Sequence, residues 1–248
     1  MDPKTRSTLD AYFRTFKADE DEAHQALWAP DMAFFGSLIK ATVQGPGSTK
    51  GVFTAVRDGM GMRRLHPIRW FGDAPQVGVL CTFQGVSGQP SQEGALLFKF
   101  DAQGRIERLA AHWDPGTFLK AKERPDEPML PRVALEDKDP RVQATLDTYF
   151  RTFNSGDEAK HYSVVHPDMI FFGSLSHMES EGLASARGVF RSVRESLGIR
   201  TFVPSRYFGD YPELTVLLDM CREEGRGKAE AMMTFRLDEL GRITGITV

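Results

Sequence analysis

Apolar positions change period along the chain, from a helical spacing to strand-like runs, and the same succession returns in the second half. Leu9, Tyr12, Phe13 and Phe16 stand at i, i+3, i+4 and i+7, which places them on one stripe of an amphipathic helix. A short second helix is predicted from about Asp21 to Trp28, stopped ahead of Pro30. Met32 to Phe35 then forms an apolar, aromatic run of strand character. After a loop with Gly45 and Gly47, the spacing of Val52, Phe53, Val56 and Met60 predicts a third helix, ended by Gly59 and Gly61. Strands are predicted over Pro67 to Phe71, Val77 to Phe83, Ala95 to Phe100 and Ile106 to Trp113. The Gly72-Asp73-Ala74-Pro75 turn, a polar Gly/Ser/Gln stretch and the hairpin signal Asp101 to Gly104 separate them. Leu96, Phe98 and Phe100 share one face. Helices followed by an antiparallel run of strands is an α+β order, in which a curved sheet wraps its helices and leaves a pocket between them.

The succession repeats nearly residue for residue. Leu9-Asp10-Ala11-Tyr12-Phe13-Arg14-Thr15-Phe16 returns 137 positions later as Leu146-Asp147-Thr148-Tyr149-Phe150-Arg151-Thr152-Phe153. The same shift carries Pro30-Asp31-Met32-Ala33-Phe34-Phe35-Gly36-Ser37-Leu38 onto Pro167-Asp168-Met169-Ile170-Phe171-Phe172-Gly173-Ser174-Leu175. It also carries Arg69-Trp70-Phe71-Gly72-Asp73 onto Arg206-Tyr207-Phe208-Gly209-Asp210, and Gly104-Arg105-Ile106 onto Gly241-Arg242-Ile243. Two tandem domains of ordinary size follow, residues 1–114 and 139–248. Between them residues 115–138 are charged and carry Pro115, Pro125, Pro128 and Pro131, the composition of a stiff, extended linker.

Bulk properties narrow the partners. With 41% apolar and 26% charged residues the chain is globular in type, and a net charge of -3 with both signs interspersed argues against nucleic acid and anionic membrane surfaces. The first ten residues contain no apolar leader and no stretch is long enough for a spanning helix, so a cytoplasmic location is expected. Cys81 and Cys221 sit in apolar runs away from any Cys/His spacing, which points to buried thiols rather than a disulfide or zinc site. His24 and His161 recur among charged residues and are expected on a helix surface; no metal or cofactor is implied. Asp31 and Asp168 read as turn or capping residues rather than acids paired with Asp58 and Glu195. Arg57, Arg63 and Arg69 recur as Arg194, Arg200 and Arg206, a set compatible with an anionic ligand, although salt bridges to the equally repeated Asp10, Asp31 and Asp73 explain it without one.

The order of elements, the Pro-Asp ahead of an aromatic strand, the Asp-x-x-Gly-Arg-Ile hairpin and the closing Ala111-His112-Trp113 together resemble the NTF2-like superfamily, which includes ketosteroid isomerase and SnoaL-type polyketide cyclases. The resemblance covers nearly all of both units and implies two cone-shaped domains, arranged as a pseudo-dimer within one monomeric chain. Ketosteroid isomerases use an aspartate at the end of the first strand, a tyrosine on the first helix and a protonated aspartate on a later strand. Tyr12 and Tyr149 match the tyrosine, whereas the two acids fall on Gly36 and Gly173 and on Leu96 and Met233. Polyether epoxide hydrolases need the same strand-end acid. SnoaL-type cyclases carry a His-Trp-Asp near the last strand whose aspartate serves as general base, similar to His112, Trp113 and Asp114.

The resemblance thus implies Asp114, Tyr12 and His112 as catalytic residues, with Trp113, Phe16, Phe34 and Tyr149 lining binding surfaces. Val248 is the partner of Ala111, so the second unit offers no counterpart of those three closing residues and the first has the more complete wall. The expected function is binding of a small hydrophobic molecule, with isomerase, cyclase or dehydratase chemistry on a carbonyl compound in the first pocket. The alternative is a non-catalytic binding or scaffold protein formed as a fused pseudo-dimer.

Overall fold

A computed structural model describes residues 1–16, 20–37, 39–59, 62, 64–84, 92–113, 135–173, 178–222 and 227–248. The chain divides into two compact units, Met1–Pro131 and Arg132–Val248. The first contains helices α1 (Pro3–Thr15), α2 (Asp21–Gln25) and α3 (Pro46–Thr54), and strands β1 (Trp28–Gly36), β2 (Ala41–Gln44), β3 (Arg64–Asp73), β4 (Gln76–Gln84), β5 (Gln92–Phe100) and β6 (Ile106–His112). The second repeats this order with α4 (Pro140–Ser155), α5 (Glu158–His161), β7 (Val165–Gly173), β8 (Met178–Glu181), α6 (Gly182–Glu195), β9 (Ile199–Asp210), β10 (Glu213–Arg222), β11 (Lys228–Leu237) and β12 (Ile243–Thr247).

Each unit has one six-stranded sheet, ordered β2-β1-β6-β5-β4-β3 and β8-β7-β12-β11-β10-β9. The central pairs β1–β6 and β7–β12 are parallel and all the other pairings are antiparallel. This is the α+β cone architecture that the repeat and the order of elements predict. Local chemistry sets its corners identically in both copies. Asp2 and Asp139 cap α1 and α4 by accepting backbone N–H bonds, each with a proline at the next position. Asp101 and Asp238 close the last hairpin of each unit, each accepting from the backbone of the arginine four residues on, at 2.8 Å.

Several boundaries differ from those the sequence suggests. Trp28 opens β1 rather than closing α2, because Pro30 permits an extended chain there and its aromatic neighbours pair with β6. β2 takes the place of an expected loop; four residues, mostly exposed and without apolar alternation, carry no strand signal until β1 offers its edge. Pro46 occupies the first turn of α3, which therefore begins earlier than Val52 and passes into a π-helical turn over Ala55–Gly59. Most of the predicted linker lies outside the described residues; its last part, Leu135–Asp137, is a 3₁₀ turn whose Leu135 packs against the second core.

Charges also pair otherwise than expected. Arg57 bonds Asp21, Asp10 pairs with Arg6 at 3.0 Å, and Asp73 meets the N-terminal ammonium at 2.9 Å. Arg194 turns inward to donate to the backbone carbonyl of Phe153. Asp31 and Asp168 are exposed positions within β1 and β7 rather than turn residues.

Candidate functional site

Strand alternation decides what faces the interior of the first unit. On β1 Phe34 points inward, and the parallel neighbour β6 presents Ala111, followed by Trp113 beyond the strand end. α1 contributes Tyr12 and Phe16, α3 contributes Val52 and Phe53, and the π-helical turn contributes Val56. Together with Leu65, Phe83 and Leu96 they enclose an apolar cavity of about 10 Å³. That volume is room for roughly one water molecule. Phe16, Phe34 and Trp113 therefore line one cavity, and Phe16 and Phe34 largely fill the space they line.

The positions of the two missing acids are occupied by packing. A Cβ on Gly36 would stand 2.9 Å from Cε1 of Phe34, so the Phe34 ring takes up the room of a strand-end side chain. Leu96 is fully buried in the same core. Tyr12 is buried, its ring edge-on to Phe98 with centroids 5.0 Å apart, and burial pushes its phenol well above the usual range. A phenol that keeps its proton donates a hydrogen bond but does not act as a base.

Trp113 is the most firmly positioned of the expected residues. Ser37, directly after β1, accepts from the Trp113 backbone N–H at 3.1 Å and donates to the Trp113 carbonyl at 2.8 Å. The indole ring meets the edge of Phe83 with centroids 4.8 Å apart. Gly94 is needed there, since a Cβ at that position would lie 2.3 Å from Phe83 Cε2. The indole Nε1 is buried and has no acceptor among the described residues. The sequence offers no sign of the Ser37 bracket, because 76 residues separate Ser37 from Trp113.

His112 is not brought to this cavity. It lies between Ala111 and Trp113 on a strand, hence on the opposite face, with its ring edge-on to Phe35 at 5.6 Å. Asp114 lies outside the described residues. Tyr149, the counterpart of Tyr12, is buried in the second core against His161 and Phe235, with centroids 4.3 and 5.2 Å away.

His24 and His161 overturn the expectation of surface histidines: both are about 3% exposed. Each closes onto the preceding long helix through Nδ1, His24 to Thr15 Oγ1 at 2.9 Å and His161 to Thr152 Oγ1 at 3.2 Å. The Tyr149 carbonyl, which can only accept, also lies 3.2 Å from His161 Nδ1, so that nitrogen carries the proton. Desolvation first, reinforced by Arg57 against the opposing Asp21, lowers the His24 pKa to about 4. His161 is likewise lowered to about 4, first by desolvation. The available sequence signal was the pair itself: Thr15 with His24 and Thr152 with His161 repeat at one spacing. Among the described residues no three His, Cys, Asp or Glu side chains group to hold a metal ion, and no helix is long and apolar enough to cross a membrane.

No protein-family model matches the chain, and no curated protein matches it. Solved structures do. One, with a ketosteroid isomerase-like fold from Catenulispora acidiphila in complex with trimethylamine, is 17% identical over 49% of this chain and 96% of its own, with a TM-score of 0.41. An NTF2-like protein from Burkholderia pseudomallei is 17% identical over 49% of this chain and 98% of its own, TM-score 0.42. A protein assigned to the SnoaL-like polyketide cyclases, from Shewanella denitrificans, is 14% identical over 49% of this chain and 98% of its own, TM-score 0.41. Likenesses this distant concern the fold of one unit; nothing about activity passes from those proteins to this one.

Proposed function

We propose that the protein binds a small hydrophobic molecule, and that the interior of its first unit holds an apolar compound bearing a carbonyl oxygen. One observation carries this reading: the buried Trp113 indole N–H is a donor without an acceptor among the described residues, set in an otherwise apolar lining. A buried donor left unmatched costs about 1–3 kcal/mol, which a ligand oxygen placed against it would recover. An apolar enclosure with a few polar groups is the usual form of a small-molecule site. Because the cavity is small, at about 10 Å³, entry requires Phe16 or Phe34 to swing aside, and the ligand is selected by a rearranged state of the interior.

The lining favours binding over proton transfer. Tyr12 stays protonated and His112 faces away from the cavity, so a catalytic version of this reading rests on Asp114. Titrating the full chain with cyclohexanone and with cyclohexane separates these readings. Saturable stabilisation by the ketone, weakened at least tenfold in Trp113→Phe and retained in Asp114→Asn, is expected. Ketone and hydrocarbon acting alike, or no saturable effect of either, sinks the proposal. Turnover of a carbonyl substrate that disappears in Asp114→Asn would instead establish the isomerase, cyclase or dehydratase reading.

A further inference from the structure

A second set of buried polar atoms lies behind the aromatic wall of the first unit, apart from Trp113. His24, Trp28 and Thr49 are 3%, 5% and 0% exposed, and His24 Nε2, Trp28 Nε1 and Thr49 Oγ1 have no hydrogen-bond partner among the described residues. His24 and Trp28 pack against Phe53. The His24 and Trp28 rings each lie 5.3 Å from its ring centroid and 5.4 Å from each other, Trp28 stacked on it and His24 edge-on. Thr49 stands one helical turn before Phe53 on α3, on the same buried face.

Their hydrogen-bonding roles are fixed. The Thr15 hydroxyl donates to the Ala11 carbonyl at 2.8 Å, so at its 2.9 Å contact with His24 it accepts from Nδ1–H. His24 Nε2 is then a bare lone pair, Trp28 Nε1 is only a donor, and the Thr49 hydroxyl is either. One acceptor, one donor and one adaptable hydroxyl complement a single O–H group, which accepts from Trp28 and donates to His24.

We infer that His24, Trp28 and Thr49 form a buried cradle for one hydroxyl group, that of a water molecule or of a small alcohol. The second unit supplies the control within the same fold. There His161 keeps its place, but the positions of Trp28 and Thr49 are taken by Val165 and Ala186, and Tyr162 packs its ring 5.3 Å from His161. The Tyr162 hydroxyl in turn donates to the Ala186 carbonyl at 3.4 Å, so a polar group of the chain itself is matched there. Leaving three such atoms unmatched in the first copy would be costly, and a bound hydroxyl removes that cost. The inference does not depend on the carbonyl site at Trp113: the two involve different donors, and either can fail alone.

The test uses the intact ¹⁵N-labelled chain. The Trp28 indole proton is examined for a rotating-frame transfer to long-lived water, first without additive and then with 1-butanol or butanone. A transfer in the free protein is expected, together with its loss in Thr49→Val. If 1-butanol abolishes the transfer and shifts the indole resonance while butanone does not, the cradle takes an alcohol, since a ketone cannot donate to His24. If the transfer survives both additives, the occupant is a resident water. No transfer in the free protein and no shift with either additive would overturn the inference, as would a transfer unchanged in Thr49→Val. Trp28→Phe, which removes the donor while keeping an aromatic ring against Phe53, serves as the second variant. Its His24 ring ¹⁵N signals are expected to move, and an unmoved signal also counts against the cradle.

Discussion

The two units bury the same histidine in different company. In the first, His24 stands against Trp28 and Phe53; in the second, His161 stands against Tyr162 and Phe190, and Val165 and Ala186 replace Trp28 and Thr49. The helix that carries these neighbours differs as well. α6 runs as one regular helix over Gly182–Glu195, whereas α3 ends at Thr54 and gives way to a π-helical turn that brings Val56 to the cavity. A duplicated scaffold has thus kept its buried Thr–His link in both copies and has varied only what surrounds it. The Thr–His link belongs to the fold, while Trp28 and Thr49 are particular to the first unit. π-helical turns of this kind commonly accompany functional positions, which places the variation where a site would be built.

All three tryptophans, Trp28, Trp70 and Trp113, lie in the first unit, so indole fluorescence reports that unit and far-ultraviolet circular dichroism reports both. The largest effect is expected from truncating matched aromatics. Phe153 is buried and stacks on Phe202 at 3.8 Å, so Phe153→Ala should cost about 3–5 kcal/mol, seen in the dichroism transition. Phe16→Ala should cost a similar amount in the fluorescence transition, but part of that loss should return on adding benzene, because Phe16 borders an existing cavity. Equal rescue by benzene in both variants would erase the distinction drawn between the two interiors.

Next in size is the response to acid. An unfolded imidazole titrates near 6.5 and these two at about 4, so between those values the unfolded chain binds more protons and stability falls as pH falls. The loss should reach about 3 kcal/mol for each histidine by pH 4 and then level off, since below that value both states are protonated. His161→Phe should flatten this pH dependence in the second unit and leave the fluorescence-detected curve of the first unchanged. A first-unit curve that flattens too would mean the units do not report separately.

Smaller effects sharpen the description of the cavity wall. Ser37→Ala removes both hydrogen bonds to the Trp113 backbone and should cost about 1–3 kcal/mol, with a red shift of the indole emission as the ring loosens. An unchanged spectrum would show that Phe83 alone fixes the ring. At the bottom of the scale, the equivalent residues Asp10 and Asp147 each pair with an exposed arginine, Arg6 one turn before on α1 and Arg151 one turn after on α4. Asp10→Ala and Asp147→Ala should each change stability by no more than about 0.5 kcal/mol, read from the two unfolding transitions.

Much of the architecture was legible because its signals are local. The stripe of Leu9, Tyr12 and Phe16, the alternation of Leu96, Phe98 and Phe100, and the Asp101 and Asp238 turns each depend on neighbours a few residues away. β2 escaped because a short edge strand is specified by its partner rather than by its own residues. The candidate site was legible only in part. The family resemblance suggested Trp113, Phe16 and Phe34 as wall residues and His112 as their catalytic neighbour, but strand phase, applied strictly, sends His112 to the other face.

By itself the sequence determined the duplication, the α+β order and the absence of carboxylates at Gly36, Gly173, Leu96 and Met233, because each of these is a matter of which residue stands at which position. Only the tertiary structure decided that His24 and His161 are interior, that Ser37 holds Trp113, and that Trp28 and His24 pack against one phenylalanine. The reason is physical. A side chain's protonation, its hydrogen-bond debt and the room left beside it are set by atoms from distant parts of the chain, and no local pattern encodes that enclosure.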